Sequence, residues 1–358
     1  MRKELVNYLN EVMERAAVSI KDNITPAFSN DLKAVIKELN FIDGNYPGNQ
    51  YRNKLFEEYY FFRYGYAYAF EYALLYENVL KSYQAREDSI FGVCSLGCGS
   101  LIDAWSLAYA KAKLEEEGNQ NIANLSLRYY GVDIRKWPII LGEEPQSCLR
   151  DCYPENNPRY PECPDNSNQE MDLVDFFKQN EWFSSYNTIM FPKILNELDD
   201  GALDKLILGV EDASKRNQFN KRDELYICVS HSKSNIKNKV DRQVNAAQRI
   251  VNAINRNNEF EIEYDLPEQW NCVAEKSHQL KRLDGTYCYE FVTNDNNEYE
   301  YIEKINSDFT RIKSFQDIGK QLRNYARQES ELKDTDYRNP VTTTSQIVFE
   351  IIKLTRKK

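Results

Sequence analysis

The 358-residue sequence predicts an α/β protein in which helices flank a mostly parallel sheet and an all-helical region precedes it. Three observations support this prediction. Apolar residues follow helical spacing up to about residue 88, short apolar runs then alternate with helical stretches, and a glycine turn closes the first of those runs. Such alternation is typical of layered α/β domains. We expect a helical cap over residues 1–88 and a sheet domain over residues 89–358.

The helical cap rests on two stretches. Residues 4–20 carry apolar side chains at helical spacing, and a further helix is expected over residues 31–39. The second stretch, YYFFRYGYAYAFEYALLY at residues 59–76, is apolar on nearly all sides, which predicts a buried helix. These aromatic helices are also our candidates for a homodimer contact.

The alternating region begins with IFGVCSL, a predicted strand over residues 90–96, and a helix over residues 103–116 follows. Further strands are predicted over residues 125–134, 185–192, 224–232, 285–294 and 345–355, and further helices over residues 203–210, 237–255 and 318–331. An irregular Cys- and Pro-rich insertion is expected near residues 141–169, because prolines interrupt regular structure there.

Composition restricts the class of protein. The hydrophobic fraction of 42% is enough for a core, and no apolar run approaches the ~20 residues of a membrane span. The N-terminal stretch is charged and amphipathic, unlike a signal peptide, so we expect a cytoplasmic protein with no membrane partner. The formal net charge of −10 disfavours nucleic acid, since phosphate binding needs clustered Lys and Arg.

The turn SLGCGS after the first predicted strand is the strongest functional signal. It places Gly97 and Gly99 between a strand and a helix. Ligands of open parallel sheets bind outside the carboxyl ends of the strands. Glycine lets the backbone approach a ligand, and the helix start offers N–H groups. The next strand ends in GVDI, which positions Asp133 to accept hydrogen bonds from both hydroxyls of a ribose.

SLGCGS followed by GVDI resembles the first two motifs of the class I (Rossmann-like) S-adenosylmethionine-dependent methyltransferases. The resemblance implies a Rossmann-like, mostly parallel sheet of seven strands, S-adenosylmethionine as cofactor, and methyl transfer to a small-molecule or protein acceptor. The cofactor contacts that it implies are Gly97, Cys98 and Gly99 for the methionine part, Asp133 and Ile134 for the ribose, Asp172 and Leu173 for the adenine, and Phe191 near the transferring methyl group.

The chain departs from the family pattern at two positions of the first motif. Ser95 stands where the family usually has an acidic residue, and Leu101 replaces the third glycine. Asp103 could supply the missing carboxylate to the methionine ammonium, although a carboxylate also suits a helix start for structural reasons. A dinucleotide-binding fold is the competing interpretation, but it would need a glycine in place of Ile102.

The aromatic stretch predicts either a core helix or a lid over the cofactor. As a lid it would bring Arg63 to the methionine carboxylate and line an acceptor pocket with Tyr60, Tyr64 and Tyr66. An arginine inside such a run must pair or stack, and buried tyrosine hydroxyls need partners.

An oxygen acceptor usually needs a base, and Glu197 and His231 are the candidates because both follow predicted strands. Cys148, Cys152 and Cys163 have a spacing that a metal could use, but no fourth ligand is near in sequence, and we expect free thiols. Other functions stay open: RNA methylation, aminocarboxypropyl transfer, cofactor binding without catalysis, and a pure interaction module.

Overall fold

The structure is a computed structural model that describes the chain in separate stretches. These are residues 1–22, 54–83, 90–133, 173–179, 186–196, 198–219, 223–232, 246–263, 277–281, 287–291 and 347–358. The predicted helix at 31–39, the predicted insertion near 141–169 and the predicted helix at 318–331 lie outside the described residues.

Two helices, α1 (Arg2–Asp22) and α2 (Lys54–Ser82), come before the first strand. The alternating region follows as β1 (Ile90–Leu96), α3 (Ile102–Glu116), α4 (Gln120–Ala123), β2 (Ser126–Val132), α5 (Leu173–Gln179), β3 (Thr188–Pro192), α6 (Asp200–Lys215), β4 (Glu224–Ser232), α7 (residues 246–254), β5 (Phe260–Glu263), β6 (Ser277–Lys281), β7 (Tyr287–Phe291) and β8 (Ile347–Arg356). The predicted α/β class is confirmed. No helix in the described stretches is long and apolar enough to cross a bilayer.

The strands form one sheet in the order β2-β1-β3-β4-β8-β7-β6, and β5 also pairs with β8. The first four strands are parallel, whereas β8 runs antiparallel to β4, β5 and β7. Eight strands are therefore present among the described residues, and the predicted number of seven is wrong. Two of the eight, β5 and β6, are short segments that the apolar pattern did not indicate.

The sheet separates two buried cores, because successive side chains of a strand point to opposite faces. In β1, Val93 faces the core that α1, α2 and α3 share, and Cys94 faces the core of α5, α6 and α7. A parallel sheet with helices on both faces is the arrangement that a Rossmann-like fold requires. The division at residue 88 into cap and sheet domain stays a prediction.

Helix α2, which we call the aromatic helix, is buried as predicted. It packs between α1 and α3 on one face of the sheet. The Phe70 ring meets the edge of the Trp105 ring at 5.5 Å, and the Trp105 indole N–H donates to the Leu5 carbonyl at 2.8 Å. These contacts join all three helices, so the N-terminal region shares its core with the sheet.

Two contacts fix the direction of the aromatic helix along β4. Tyr72 shares a hydrogen bond of 3.2 Å with the hydroxyl of Ser230 near the carboxyl end of β4. Ser82 accepts a hydrogen bond of 3.2 Å from Tyr226 near the beginning of the same strand. The helix therefore runs antiparallel to β4, and its first half, before Tyr72, lies at the carboxyl edge of the parallel strands.

Candidate functional site

The turn after β1 has an unusual backbone. Gly97 and Gly99 have positive φ angles of 85° and 52°, and Leu101, the N-cap residue directly before α3, has a φ of 61°. Glycine adopts this left-handed region without strain, whereas a residue with a Cβ does not. The conformation of the turn itself therefore favours glycine at both positions of the motif.

The turn is tied to the end of β2. The N–H groups of Gly97 and Cys98 both donate to the carbonyl of Val132, at 2.6 and 3.1 Å. The N–H of Gly99 donates to Oδ2 of Asp133 at 2.8 Å. The glycine turn and the acidic residue that sequence analysis paired are thus in direct contact, and three N–H groups of the turn point toward the end of β2.

The turn also contacts the segment after β3. A Cβ on Gly97 would lie 2.9 Å from the Cβ of Ile194, a distance that real side chains do not adopt. The carboxyl ends of β1, β2 and β3 therefore converge. Around them, six residues are all partly exposed: Gly97, Cys98, Gly99, Asp133, Lys193 and Ile194. This accessible edge is the candidate site.

Asp103 faces away from that edge. Its side chain is 1% exposed, and it accepts hydrogen bonds from the hydroxyls of Tyr129 at 2.6 Å and Tyr76 at 3.2 Å. Burial raises the pKa of the Asp103 carboxyl. The two phenols occupy both carboxylate oxygens, so Asp103 fills a structural position in the core, and we leave it out of the proposed cofactor set.

A stripe of tyrosines borders the site. Tyr60, Tyr64, Tyr68 and Tyr72 follow one another at intervals of four residues, which places them along one side of the aromatic helix. The Tyr64 and Tyr68 rings stack with centroids 5.3 Å apart, and the Tyr60 hydroxyl donates to that of Tyr68 at 3.3 Å. We call these four residues the tyrosine stripe. Burial raises the pKa of Tyr68 well above its ordinary value.

Lys193 extends from the end of β3 onto this stripe. Its ammonium lies 3.9 Å from the centroid of the Tyr68 ring and 5.8 Å from that of Tyr64. It also donates a hydrogen bond to the Tyr68 hydroxyl. Arg63 approaches the stripe too, with its guanidinium carbon 5.5 Å from the Tyr64 centroid.

The structure separates some of the predicted residues from the site. The hydroxyl of Tyr66 donates to Asn10 of α1 at 2.7 Å, because Tyr66 lies about 200° around the helix from Tyr64. Leu173 and Phe191 are buried in the core of α5 and α6. His231, in contrast, lies next to Ser230 near the carboxyl end of β4, in register with Val348 of β8.

Several predicted residues lie outside the described part of the chain. They are Ile134, Asp172, Glu197, Cys148, Cys152 and Cys163. Among the residues that are described, no group of three His, Cys, Asp or Glu side chains could hold a metal ion.

Sequence reasoning missed Lys193, Tyr68, Tyr72 and Ser230. The four-residue spacing of the tyrosines was a signal that could have found two of them, since it puts Tyr68 and Tyr72 on the side of Tyr60 and Tyr64. Lys193 and Ser230 gave no such signal, because strand pairing alone brings them together.

Comparison with known proteins identifies no family for this chain. No family model and no curated protein matches the chain. Two crystal structures of the plantazolicin methyltransferase BpumL with SAH, bound to a monoazolic and a triazolic desmethylPZN analog, align over 98% of this chain and 99% and 98% of theirs. Sequence identities are 9% and 10%, and TM-scores are 0.26 and 0.24. Likeness at this level carries no argument, and the function has to be inferred from the residues of this chain.

Proposed function

We propose that this protein binds S-adenosylmethionine at the turn after β1 and transfers its methyl group to a small-molecule or protein acceptor. The observation that carries the proposal is the contact between Asp133 and Gly99 at the carboxyl edge of the sheet. Open α/β sheets bind ligands at that edge. The resemblance of SLGCGS and GVDI to the methyltransferase motifs identifies the class of ligand.

The residues present fit this cofactor. Asp133 is partly exposed and uses Oδ2 on Gly99, at the position where an acidic residue would accept hydrogen bonds from ribose hydroxyls. Cys98 and Gly99 leave the turn accessible. Arg63 on the aromatic helix supplies a guanidinium suited to a carboxylate such as that of the methionine part.

When bound, S-adenosylmethionine supplies a methyl group on a sulfonium, and its transfer requires an in-line approach and a dry site. The aromatic helix would cover the site and exclude water. The tyrosine stripe would line the acceptor pocket with Tyr60 and Tyr64. For an oxygen acceptor, we assign proton removal to His231, which follows Ser230 in β4, or to Glu197.

The first test is calorimetric titration of S-adenosylmethionine and S-adenosylhomocysteine into the purified protein and into Asp133→Ala. We expect micromolar binding by the wild-type protein and a loss of at least tenfold in the variant. Asp204→Ala is the matched control, because Asp204 is an exposed carboxylate on α6 and pairs only at the surface, with Arg249. Absence of binding by the wild-type protein would overturn the proposal, and NAD in the same titration tests the dinucleotide alternative.

A further inference from the structure

Ser230 is a buried polar residue near the carboxyl end of β4. Its side chain is fully buried, and it lies on the same face of β4 as Tyr226 and Cys228, because alternate residues of a strand share a face. Those two residues belong to the core that the aromatic helix shares. A buried hydroxyl is unfavourable unless it has hydrogen-bond partners, so the partners of Ser230 indicate why a serine stands there.

The Ser230 hydroxyl has partners on two other parts of the structure. It accepts a hydrogen bond of 3.0 Å from the N–H of Lys193, directly after β3, and it shares one of 3.2 Å with the Tyr72 hydroxyl of the aromatic helix. A serine hydroxyl has one donor and two acceptor positions, so it can make both contacts at once. One oxygen atom therefore connects the ends of β3 and β4 with the aromatic helix, beside the candidate site.

The residue that Ser230 holds has an unfavourable backbone conformation. Lys193 has a φ of 62°, in the left-handed region, which a residue with a Cβ adopts only where its surroundings impose it. Ser230 imposes it through the Lys193 N–H, which donates to the Ser230 hydroxyl and, at 3.2 Å, to the Ser230 carbonyl. Conformations of this kind cluster at functional sites.

The φ angle of Lys193 sets the course of the chain after it, because rotation about that bond moves the atoms that follow. The next residue is Ile194, and its side chain packs on the glycine turn. A Cβ on Gly97 would lie 2.9 Å from the Cβ of Ile194 and 3.3 Å from its Cδ1. The position of Ile194 against the turn therefore depends on the hydroxyl of Ser230.

Resting on the proposed function, we propose that Ser230 is a positioning residue for the cofactor. Its hydroxyl keeps Lys193 in the left-handed conformation, Ile194 then stays against Gly97, and the glycine turn keeps the geometry in which it binds S-adenosylmethionine. Ser230 is fully buried and acts through these neighbours, without contact with the cofactor. Only the backbone of Lys193 takes part, so its ammonium group is not needed for this role.

The first measurement follows Ile194 in the absence of any ligand. Methyl NMR spectra are recorded for protein labelled at the isoleucine δ1 carbons, and Ile194→Val identifies the Ile194 resonance. We expect Ser230→Ala to shift this resonance. The variant should fold, because the Lys193 N–H keeps its hydrogen bond to the Ser230 carbonyl.

Ser214→Ala is the matched control for Ser230→Ala. Ser214 is also a buried serine, and its hydroxyl donates to the carbonyl of Ile254 at 2.9 Å, on the opposite face of the sheet from the aromatic helix. The control thus loses a buried hydrogen bond away from the glycine turn. We expect it to leave the Ile194 resonance unchanged.

The second measurement is the affinity of the same proteins for S-adenosylhomocysteine, by calorimetry, with urea unfolding as the measure of stability. We expect Ser230→Ala to bind about 3- to 10-fold more weakly, the range that corresponds to the loss of one hydrogen bond. Ser214→Ala should bind as the wild-type protein does. A merely structural role for Ser230 would lower the stability of both variants and the affinity of neither.

A change at Lys193 tests the cause of the effect. Glycine adopts a left-handed φ without strain, so Lys193→Gly should no longer depend on the hydroxyl. We expect Ser230→Ala to weaken binding less in the Lys193→Gly background than in the wild-type background, a difference that a double-mutant cycle measures. An equal loss in the two backgrounds would overturn the assignment to the backbone of Lys193.

The outcomes separate the two proposals. If the wild-type protein binds S-adenosylhomocysteine and Ser230→Ala binds it equally well, or if the Ile194 resonance does not move in Ser230→Ala, the role of Ser230 is overturned and the proposed function stands. If the wild-type protein binds no S-adenosylhomocysteine, the proposed function is overturned, and the positioning role falls with it whatever the methyl spectra show.

Discussion

Asp133 accepts a hydrogen bond of 2.8 Å from the N–H of Gly99, and this contact joins the end of β2 to the turn after β1. The carboxylate has two separable properties: it accepts this bond, and it carries a charge toward the accessible edge of the sheet. An amide in its place would keep the first property and lose the second. Substitutions at this position can therefore distinguish the architecture of the turn from ligand binding.

We predict that Asp133→Asn weakens binding of S-adenosylhomocysteine about tenfold, or about 1.4 kcal/mol, with little change in the free energy of unfolding. A charged carboxylate accepts stronger hydrogen bonds from the ribose hydroxyls than the carbonyl of a neutral amide does. Asp133→Ala should lose more affinity and also about 1.5–3 kcal/mol of stability, the range for a hydrogen bond to a charged group. Calorimetry and urea unfolding measure the two quantities. Equal affinity in the wild-type protein and Asp133→Asn would show that the charge has no role in binding.

Gly97 and Gly118 allow the cost of backbone strain alone to be compared with the cost of backbone strain combined with a steric collision. Gly97 and Gly118 have nearly the same φ, 85° and 81°, but a Cβ on Gly97 would lie 2.9 Å from Ile194 while one on Gly118 meets nothing within 4 Å. We predict that Gly118→Ala costs about 1–2 kcal/mol of unfolding free energy and that Gly97→Ala costs more. Urea unfolding measures both.

A double variant tests whether the collision with Ile194 causes the larger loss of stability in Gly97→Ala. In the background of Gly97→Ala, Ile194→Gly removes the Cβ of Ile194, at 2.9 Å, and the side-chain atoms beyond it that a new Cβ would meet. The double variant should lose less stability than the sum of the two single changes. Strict additivity would mean that the collision with Ile194 does not explain the larger cost.

The fold could be predicted from sequence where one local pattern determines one element. Strand β1 and helix α3 begin and end within a residue of the prediction, because an apolar run, a glycine turn and a helical stretch follow one another. Strand β5 has only four residues, FEIE, and gains its order by pairing with β8, which lies almost a hundred positions later. No local pattern marks such a strand.

The site could be predicted only in part for the same reason. The contact of Asp133 with the turn followed from motif spacing, since strand ends of a parallel sheet lie side by side. The environment of Asp103 did not, because Tyr76 and Tyr129 approach it from a different helix and a different strand. The position of Lys193 could not be predicted either, because its φ of 62° lies in the left-handed region and no local sequence pattern indicates that conformation for a lysine.

Asp103 should make the protein less stable as pH rises. Its folded-state pKa is raised by burial above the ordinary value near 4, so the native state holds the proton more firmly than the unfolded state does. The stability that this group contributes is complete below the ordinary pKa and is lost as pH rises through the raised one. Asp103→Asn mimics the protonated form and carries no such dependence.

We predict that the stability of Asp103→Asn relative to the wild-type protein increases between pH 5 and pH 8, measured by urea unfolding at both values. Tyr129→Phe should steepen the pH dependence, because it removes a hydrogen bond that stabilises the charged carboxylate. If the unfolding free energies of Asp103→Asn and the wild-type protein differ by the same amount at pH 5 and pH 8, the raised pKa of Asp103 is contradicted.

Glu77 should show the opposite dependence. Burial alone would raise its pKa, but the ammonium groups of Lys113 and Lys81, each 2.6 Å away, lower it overall. Stability from this group is therefore present above the ordinary glutamate pKa near 4.3 and is lost as pH falls through the lowered value. Because Lys113 belongs to α3, the interaction joins α3 to the aromatic helix.

We predict that Glu77→Gln lowers the unfolding free energy by about 1.5–3 kcal/mol at pH 7, since it weakens two hydrogen bonds between charged groups. The deficit should shrink below pH 4, where the wild-type carboxylate takes up a proton as well. Glu115→Gln is the matched control: Glu115 pairs with Lys111 four residues away on the same helix, a contact worth about 0.3–0.5 kcal/mol. If the two variants lose the same unfolding free energy at pH 7, the ion pair between α3 and the aromatic helix contributes no more than an ion pair within one helix.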